Sequence, residues 1–520
     1  MRKRWLPVAA WILSAVAAFV VYLRLANTKA VNSDGSSQAL QAWDILHGNV
    51  LLHGWALRDA SLYTIDTAEY VLIELVRGLN AGVVQIGAAV TYTLAVLLAA
   101  ALAKGTATGR EAAVRVALAA GIMLAPQLDS GTNVLLSSPD HMATSVPVML
   151  TLLILDRARP RWYVPAAVTV LLAWSVIGDQ LVLVIAILPL IAVCAVRVAG
   201  SLVRRWAPWR ENRQELALAA GAVVAALVGV GAPHVIRALG GYQMQPLSSS
   251  LSPLPVILGH NLPITGDGFL LLGGAYFTGL PASAQTWFVM LHVAGVALAA
   301  LGVAVTAWRF FRGEALVPQL LLTGIVLNVV AYALGTHAII LPNTREMAPV
   351  LPLAAALAGR QLPGLLVGRA LGMRAATAGV LGFVLGGYLA GLGLELTAPA
   401  APPQNAQLAA WLTAHRLRIG LSGYWQGNVV TLTSGGQAAV RPVLVRNGRI
   451  VPSTGNVKSG WFEPARSSAD FVVLAPPIPG YIGFTNRNAV IATFGEPART
   501  CHIGPYTILQ WHKNLLADMR

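Results

Sequence analysis

Residues Val31 to Asn49 read VNSDGSSQALQAWDILHGN and follow directly on the first long apolar run of the chain. Ser33 and Asp34 are good N-caps, and Ser36 to His47 have good helical propensity. Leu40, Trp43 and Leu46, with Ala39 and Ala42, recur at helical spacing, while Gln38, Gln41, Asp44 and His47 fall toward another face. Gly48 ends the run. The spacing predicts an amphipathic helix lying on an outer membrane surface, with Asp34 at its head and Asp44 toward its far end.

Two carboxylates here need a reason, because charge is scarce elsewhere. The 520-residue chain is 56% hydrophobic and 11% charged, with mean hydropathy +0.65. Soluble chains carry about 25% charged residues, so most of this one is expected in a membrane. A net charge of +15 would suit nucleic acid or acidic lipid. The basic residues, however, sit in short clusters between apolar runs, as cytoplasmic loops do. The basicity therefore reads as topology, and no nucleic-acid partner is expected.

A helical span needs about 20 mainly apolar residues. About eleven are expected, at 5–25, 81–103, 111–127, 141–156, 162–178, 180–197, 215–237, 286–308, 316–335, 346–359 and 375–396. Arg2, Lys3 and Arg4 precede the first. Lys104 and Arg110, then Arg157, Arg159 and Arg161, then Arg197, Arg204, Arg205, Arg210 and Arg213, then Arg309 and Arg312, then Arg360, Arg369 and Arg374 make every second loop basic. That pattern puts the N-terminus inside and, with an odd number of spans, the C-terminus outside. The opening MRKRWLPVAAWILSAVAAFVVYL reads as an uncleaved span, since its apolar core exceeds that of a signal peptide. The expected layout is a transmembrane domain at 1–397 with long outer loops at 26–80 and 238–285, a Pro/Ala linker at 398–407 and a small extracytoplasmic α/β domain at 408–520. In the last, AQLAAWLTAHRL reads as a helix, and NVVTLT, AVRPVLV, DFVVLAP, NAVIATF and YTILQW read as strands. Cys194 and Cys501 fall on opposite sides of this layout, so no intramolecular disulfide is expected.

Polar residues gather at the outer ends. The first outer loop holds Asp34, Asp44, His53, Arg58, Asp66 and Glu69. QLDSGTNVLLSSPDH brings Asp140 and His141, the next outer turn Asp179 and Gln180, the fourth outer loop His260, and GTHAIILPNTREMAP His337, Arg345 and Glu346. An ionisable side chain at mid-bilayer costs about 2.5–3.5 kcal/mol. Groups at span ends on one side are therefore expected to close around one chamber in the outer leaflet, where a lipid-linked substrate presents its headgroup. The inner loops carry almost no acids; Asp156 and Glu211 sit among arginines. Singly, each group has an ordinary explanation. Asp34 would be an N-cap, Asp44 part of a solvated helix face, Arg345 the ion-pair partner of Glu346 or another outer acid, and Asp140 with His141 a structural pair. Asp66 and Glu69, one helical turn apart, could hold Mg²⁺ or Ca²⁺. No zinc site is expected without Cys or His at ligand spacing.

The opening stretch resembles the GT-C superfamily of polyprenyl-phosphate-sugar-dependent membrane glycosyltransferases. The closest pattern is that of protein O-mannosyltransferases and the bacterial aminoarabinose transferase. There an Asp-Glu pair follows the first span, an acidic residue stands ten positions after the first Asp, and a Gly-Asn or Gly-Asp turn follows. Here Asp34 matches the leading Asp, Asp44 stands ten positions on, and HGN at 47–49 matches the turn, with Gly35 where the pair has Glu. GLSGYWQGN, at 420–428, resembles the Tyr-Trp segments of several such enzymes.

The resemblance implies a polytopic α-helical, GT-C-like protein of a bacterial cytoplasmic membrane. It would move a hexosyl or pentosyl group from a polyprenyl-phosphate donor to a hydroxyl of a glycan, lipid or protein in the cell envelope. Asp34 would be the general base, and Asp44 would hold the acceptor or orient another group. Arg345 suits the donor phosphate, with Arg58 and His337 behind it. His53, Asp66, Glu69, Asp140, His141, Asp179, Gln180, His260 and Glu346 are candidates for substrate binding. Trp287, Tyr276, Tyr424 and Trp425 would stack on sugar rings or form an interfacial belt. Two other readings stay open: a transporter or flippase, with polar groups near the midplane, and a membrane-anchored assembly protein that works through its outer domain.

Overall fold

The computed structural model describes residues 2–205, 212–246, 249–366, 371–402, 405–477 and 485–519. Arg210, Glu211 and Arg369 lie outside the described residues. In chain order the elements are α1 (Arg2–Ala26), α2 (Ser33–Leu46), β1 (Trp55–Leu57), α3 (Asp66–Arg77), α4 (Gly82–Lys104), α5 (Gly109–Ile122), α6 (Ser130–Leu135), α7 (Asp140–Arg157) and α8 (Tyr163–Gly178). A π-turn (Leu183–Ile187) runs into α9 (Leu188–Arg205), followed by α10 (Arg213–Ala238), β2 (Gln243–Met244) and α11 (Leu254–Val256). A second π-turn (Ile257–Asn261) runs into α12 (Leu262–Leu272), followed by α13 (Ala284–Arg309), α14 (Leu316–Leu334), a 3₁₀ stretch (Leu341–Met347), α15 (Val350–Gln361), α16 (Pro363–Leu366) and α17 (Leu371–Glu395). The remainder is α18 (Ala406–Ala414), β3 (Ile419–Ser422), α19 (Tyr424–Thr433), β4 (Ala439–Arg446), β5 (Arg449–Pro452), β6 (Val457–Lys458), β7 (Phe471–Leu474), α20 (Arg487–Phe494), β8 (Arg499–Ile503) and β9 (Tyr506–Gln510).

Each expected span falls on a helix. Among the described residues, seven helices are long and apolar enough to cross a membrane: Ala9–Ala26, Gly82–Lys104, Leu183–Val203, Arg213–Ala238, Ala284–Arg309, Leu316–Leu334 and Ala378–Glu395. The chain is a multi-pass membrane protein. The expected count of about eleven exceeds seven for physical reasons. The helices α5, α8 and α15 have 14, 16 and 12 residues, and α7 carries Asp140, Asp156 and Arg157 at its ends.

The chain divides into two units. The first comprises Met1–Ala26, Ala88–Gly231 and Ser249–Pro399. Its centre is α15, with eleven of twelve residues buried, packed against α5, α13 and α14. Backbones there touch through small residues. A Cβ on Gly302 of α13 would stand 2.6 Å from Ala358 Cα, and one on Gly359 would stand 2.6 Å from Ala103 Cβ and 2.7 Å from the Arg115 carbonyl oxygen.

The second unit comprises Asn27–Gly87, Ala232–Ser248 and Ala400–Arg520. The expected separate domain at 408–520 thus forms one body with the first long loop. Its main sheet runs β5-β4-β3-β7-β9-β8, with β3 parallel to both β4 and β7 and the other pairs antiparallel. Alternation fills two cores: Phe471 and Val473 join Leu408, Leu412 and Val430 on one face, and Val472 joins Leu421, Val490 and Leu509 on the other. A smaller sheet pairs β1 with β2 and β6.

Two expected strands are helices. NVVTLT forms the body of α19, where Gln426 to Leu432 are all buried; a run buried on every side shows no period to separate helix from strand. NAVIATF lies in α20, started by the Asn486 side chain accepting from Ala489 N–H at 2.9 Å. The expected surface helix is also corrected. Nine of the 14 residues of α2 are buried, covered by α3 and α19. The amphipathic surface belongs to α3, which buries Asp66, Thr67, Tyr70 and Glu74 and exposes Leu72, Leu75 and Val76 at 67%, 66% and 85%.

Candidate functional site

Asn32, not Asp34, caps α2, its side-chain oxygen accepting from Gly35 N–H at 2.7 Å. Capping is therefore not the task of Asp34. Instead the Tyr424 hydroxyl donates to Asp34 Oδ1 at 2.5 Å. The same phenolic oxygen accepts from Asn456 Nδ2 at 3.0 Å, the Arg58 guanidinium lies 4.3 Å above the Tyr424 ring, and Ser33 Oγ donates to the Tyr424 carbonyl at 2.5 Å. Burial, reinforced by the Asp34 charge against the opposing charge of Arg58, pushes the Tyr424 phenol far above its ordinary value, so it stays a donor. With 4% exposure and Arg58 on its face, Tyr424 is no platform for a sugar ring.

Asp44 is engaged on both oxygens. Lys458 Nζ stands 2.9 and 3.1 Å from them, and Trp55 Nε1 and Asn49 Nδ2 donate at 2.8 and 2.6 Å. Burial raises the Asp44 carboxyl, but the hydrogen bonds from Lys458, Trp55 and Asn49 and the Lys458 charge outweigh it and hold the group below its ordinary value. Trp55 meets Trp461 edge-on at 5.0 Å, and Arg441 lies 4.1 Å over Trp461, its guanidinium pulled down by burial to about 10. In this column Asp44 ties α2 to β1 and β6. His53 Nδ1 meets the Gly240 carbonyl at 2.7 Å. Asp66 and Glu69 occupy the first turn of α3, where negative charge meets the positive end of the helix.

The remaining candidates lie in the first unit. His141 Nδ1 stands 2.8 Å from Asp179 Oδ2, an oxygen that also accepts from Thr144 Oγ1 at 2.6 Å. Asp179 Oδ1 accepts from Leu181 N–H at 2.9 Å. The Asp179 contact orients the imidazole, and its other nitrogen lies 3.7 Å from Asp140 Oδ1. Arg345 Nη1 stands 3.1 Å from Asp140 Oδ2, an ion pair with an outer acid, as the sequence allowed. Asp140 has φ +48° and Asp129 has φ +64°, a left-handed backbone that side chains other than glycine adopt at a cost and that gathers at functional sites. His337 Nδ1 stands 3.1 Å from the Glu346 carboxylate, and Asn328 Nδ2 donates to the Glu346 carbonyl at 3.1 Å. His260 Nε2 meets the Ile339 carbonyl at 3.0 Å, and Gln180 is half-buried beside Asp179. Trp287 is 70% exposed on the first turn of α13. Among the described residues no group of three or more His, Cys, Asp or Glu is placed to hold a metal ion.

Sequence reasoning missed Asn456, Thr144, Asn328 and the bond from Tyr424 to Asp34. The segment GLSGYWQGN was the available signal for Tyr424; nothing local marks Asn456 beyond the turn that holds it.

The chain shares its fold with two solved membrane proteins, an ArnT and an archaeal oligosaccharyltransferase. ArnT from Cupriavidus metallidurans, solved bound to undecaprenyl phosphate, matches with TM-score 0.53 at 13% identity, over 98% of this chain and 98% of that one. Its apo state gives 0.52 and 14%, over 97% and 98%. The archaeal oligosaccharyltransferase AglB from Archaeoglobus fulgidus, solved with an inhibitory peptide and a dolichol-phosphate, gives 0.50 and 13%, over 90% of this chain and 70% of that one. No protein-family model and no curated protein matches the chain.

Proposed function

We propose that the protein is a glycosyltransferase that moves a sugar from a polyprenyl-phosphate donor to an acceptor hydroxyl, in a bacterial cytoplasmic membrane with Asp34 on the outer face. The observation that carries this reading is Asp34 itself. The carboxylate stands eight positions after the end of α1, relieved of capping by Asn32 and hydrogen-bonded by a buried phenol. Its likeness in fold to proteins solved with undecaprenyl phosphate and dolichol-phosphate supports the donor class.

In the reaction the acceptor oxygen attacks the anomeric carbon, a new carbon–oxygen bond forms, and the bond from that carbon to the phosphate oxygen breaks. The acceptor proton passes to an Asp34 carboxylate oxygen. The electron pair leaves on the polyprenyl phosphate, and a guanidinium fork is the group best shaped to take the growing charge. Arg345 has that role, released from Asp140 as phosphate arrives, with His141 held ready by Asp179. Asp44 anchors the loop. Asp66 and Glu69 lack a third ligand residue among the described residues, and no step is routed through a cation.

The test is transfer from undecaprenyl-phosphate-linked mannose, glucose and arabinose by purified protein in lipid nanodiscs, with envelope extract as acceptor. Asp34→Asn is expected to lose about 10²–10⁴-fold in kcat and Arg345→Ala about 10²-fold, with thermal stability kept. Full activity in both variants overturns the assignment. Movement of intact lipid between leaflets without acceptor product would point to a flippase.

A further inference from the structure

The α/β layer of the second unit has a task that the proposed reaction leaves unassigned. Chain leaving β3 passes through α19 to β4 on one side, while chain leaving β7 goes by α20 to β8 and β9 on the other. The carboxyl edge between β3 and β7 is therefore a topological switch point, the place where open α/β sheets bind ligands. Here Ser422 Oγ bridges it to the Val473 carbonyl at 2.9 Å, and the next residues, Gly423 and Tyr424, start α19. What meets Tyr424 at this edge is the chain's own Ser33–Asp34, through Ser33 Oγ to the Tyr424 carbonyl and the Tyr424 hydroxyl to Asp34.

The direction of the phenolic proton follows from its partners. Asn456 Nδ2 can only donate, so it occupies a lone pair of the phenol oxygen and leaves the single O–H proton for Asp34. Asn456 is fixed in turn, its carbonyl accepting from Asn428 Nδ2 of α19 at 3.2 Å. Among the described residues, Asp34 from α2 and Arg58 from the chain after β1 bear on the phenol.

We infer that Tyr424 is the positioning residue of Asp34. The switch-point edge has become a bracket for the carboxylate, fixing its rotamer and its basicity. This rests on Asp34 acting as the base. A donated hydrogen bond favours the charged carboxylate, and removing it lets the group take up its proton at higher pH.

The experiment uses full-length protein in nanodiscs and two readouts. Infrared difference spectra, with the Asp34 carboxyl band identified by subtracting Asp34→Asn, follow its titration without any substrate. Tyr424→Phe is expected to move that midpoint up by about one pH unit, and Asn456→Ala by less, in the same direction. An unmoved midpoint in Tyr424→Phe overturns the inference. The midpoint is a property of folded molecules and survives a loss of yield. The second readout is sugar transfer from the three undecaprenyl-phosphate donors. Tyr424→Phe is expected to lose about 10- to 100-fold in kcat with donor KM within about twofold, and the acid limb of its pH profile should move with the infrared midpoint. If Asp34→Asn keeps its transfer rate, the base assignment fails, and the inference with it. If Asp34→Asn is inactive while Tyr424→Phe keeps wild-type kcat and pH profile, only the inference fails.

Discussion

Glu74 sits on the inner face of α3 with both carboxylate oxygens buried and neither hydrogen-bonded among the described residues. Burial pushes its carboxyl up from 4.5 to about 8. Between those values the folded chain holds a proton that the unfolded chain has released, so stability falls as pH rises through the window. Glu74→Gln is expected to flatten this part of the pH dependence and to gain on the order of 2 kcal/mol at pH 9, read as thermal midpoints in micelles at pH 5 and pH 9. An equal pH dependence in the variant would contradict the burial argument. Asp44 behaves in the opposite sense. Its folded value is lowered, so its contribution is present near neutrality and lost as pH falls below about 4. Lys458→Met strands a half-buried carboxylate and is expected to cost about 1–3 kcal/mol, part of which Asp44→Asn in the same chain restores. Turnover in Asp44→Asn should stay within about threefold, whereas a larger loss would return Asp44 to the chemistry.

At the scale of elements, α3 presents Leu72, Leu75 and Val76 outward and ends at Arg77, and α4 starts at Gly82. With so short a link, α3 is expected at the membrane interface, apolar side to lipid. Leu72→Trp is expected to fluoresce in the blue and to be quenched by lipids brominated near the headgroup; a solvent-like spectrum counts against it. In α15, Gly359 has no room for a side chain beside Ala103 and Arg115. Gly359→Val should destabilise by about 1–3 kcal/mol or more, measured as a fall in the thermal midpoint. The helices of the bundle were legible in the sequence because a bilayer demands long apolar runs whatever they pack against. The roles of α2 and α3 were not. Both are amphipathic, and which one is covered depends on α19, nearly four hundred residues away. The β-branched runs of α19 and α20 misled for a related reason: packing and caps overrode a weak local preference.

At the scale of the molecule, the fold was legible from the order of parts, and Asp34 was proposed from the spacing of its stretch. The bracket around it was not, since the hydroxyl that reaches Asp34 lies 390 positions along the chain. An ion pair of Arg345 with an outer acid was foreseen, but nothing local singled out Asp140 among them.

The second unit is gathered from three stretches, Asn27–Gly87, Ala232–Ser248 and Ala400–Arg520, stitched by β1 pairing with β2 and β6. A ribosome delivers these pieces far apart in time. The first must wait, with the face of α2 that α19 will cover still bare, until the stretch from Ala400 onward has been made, and chains caught in that interval are open to proteases and to misassembly. On the proposed function, competence therefore waits for the residues after Ala400, and a ribosome that stalls before them leaves a product without Tyr424 and without transfer activity.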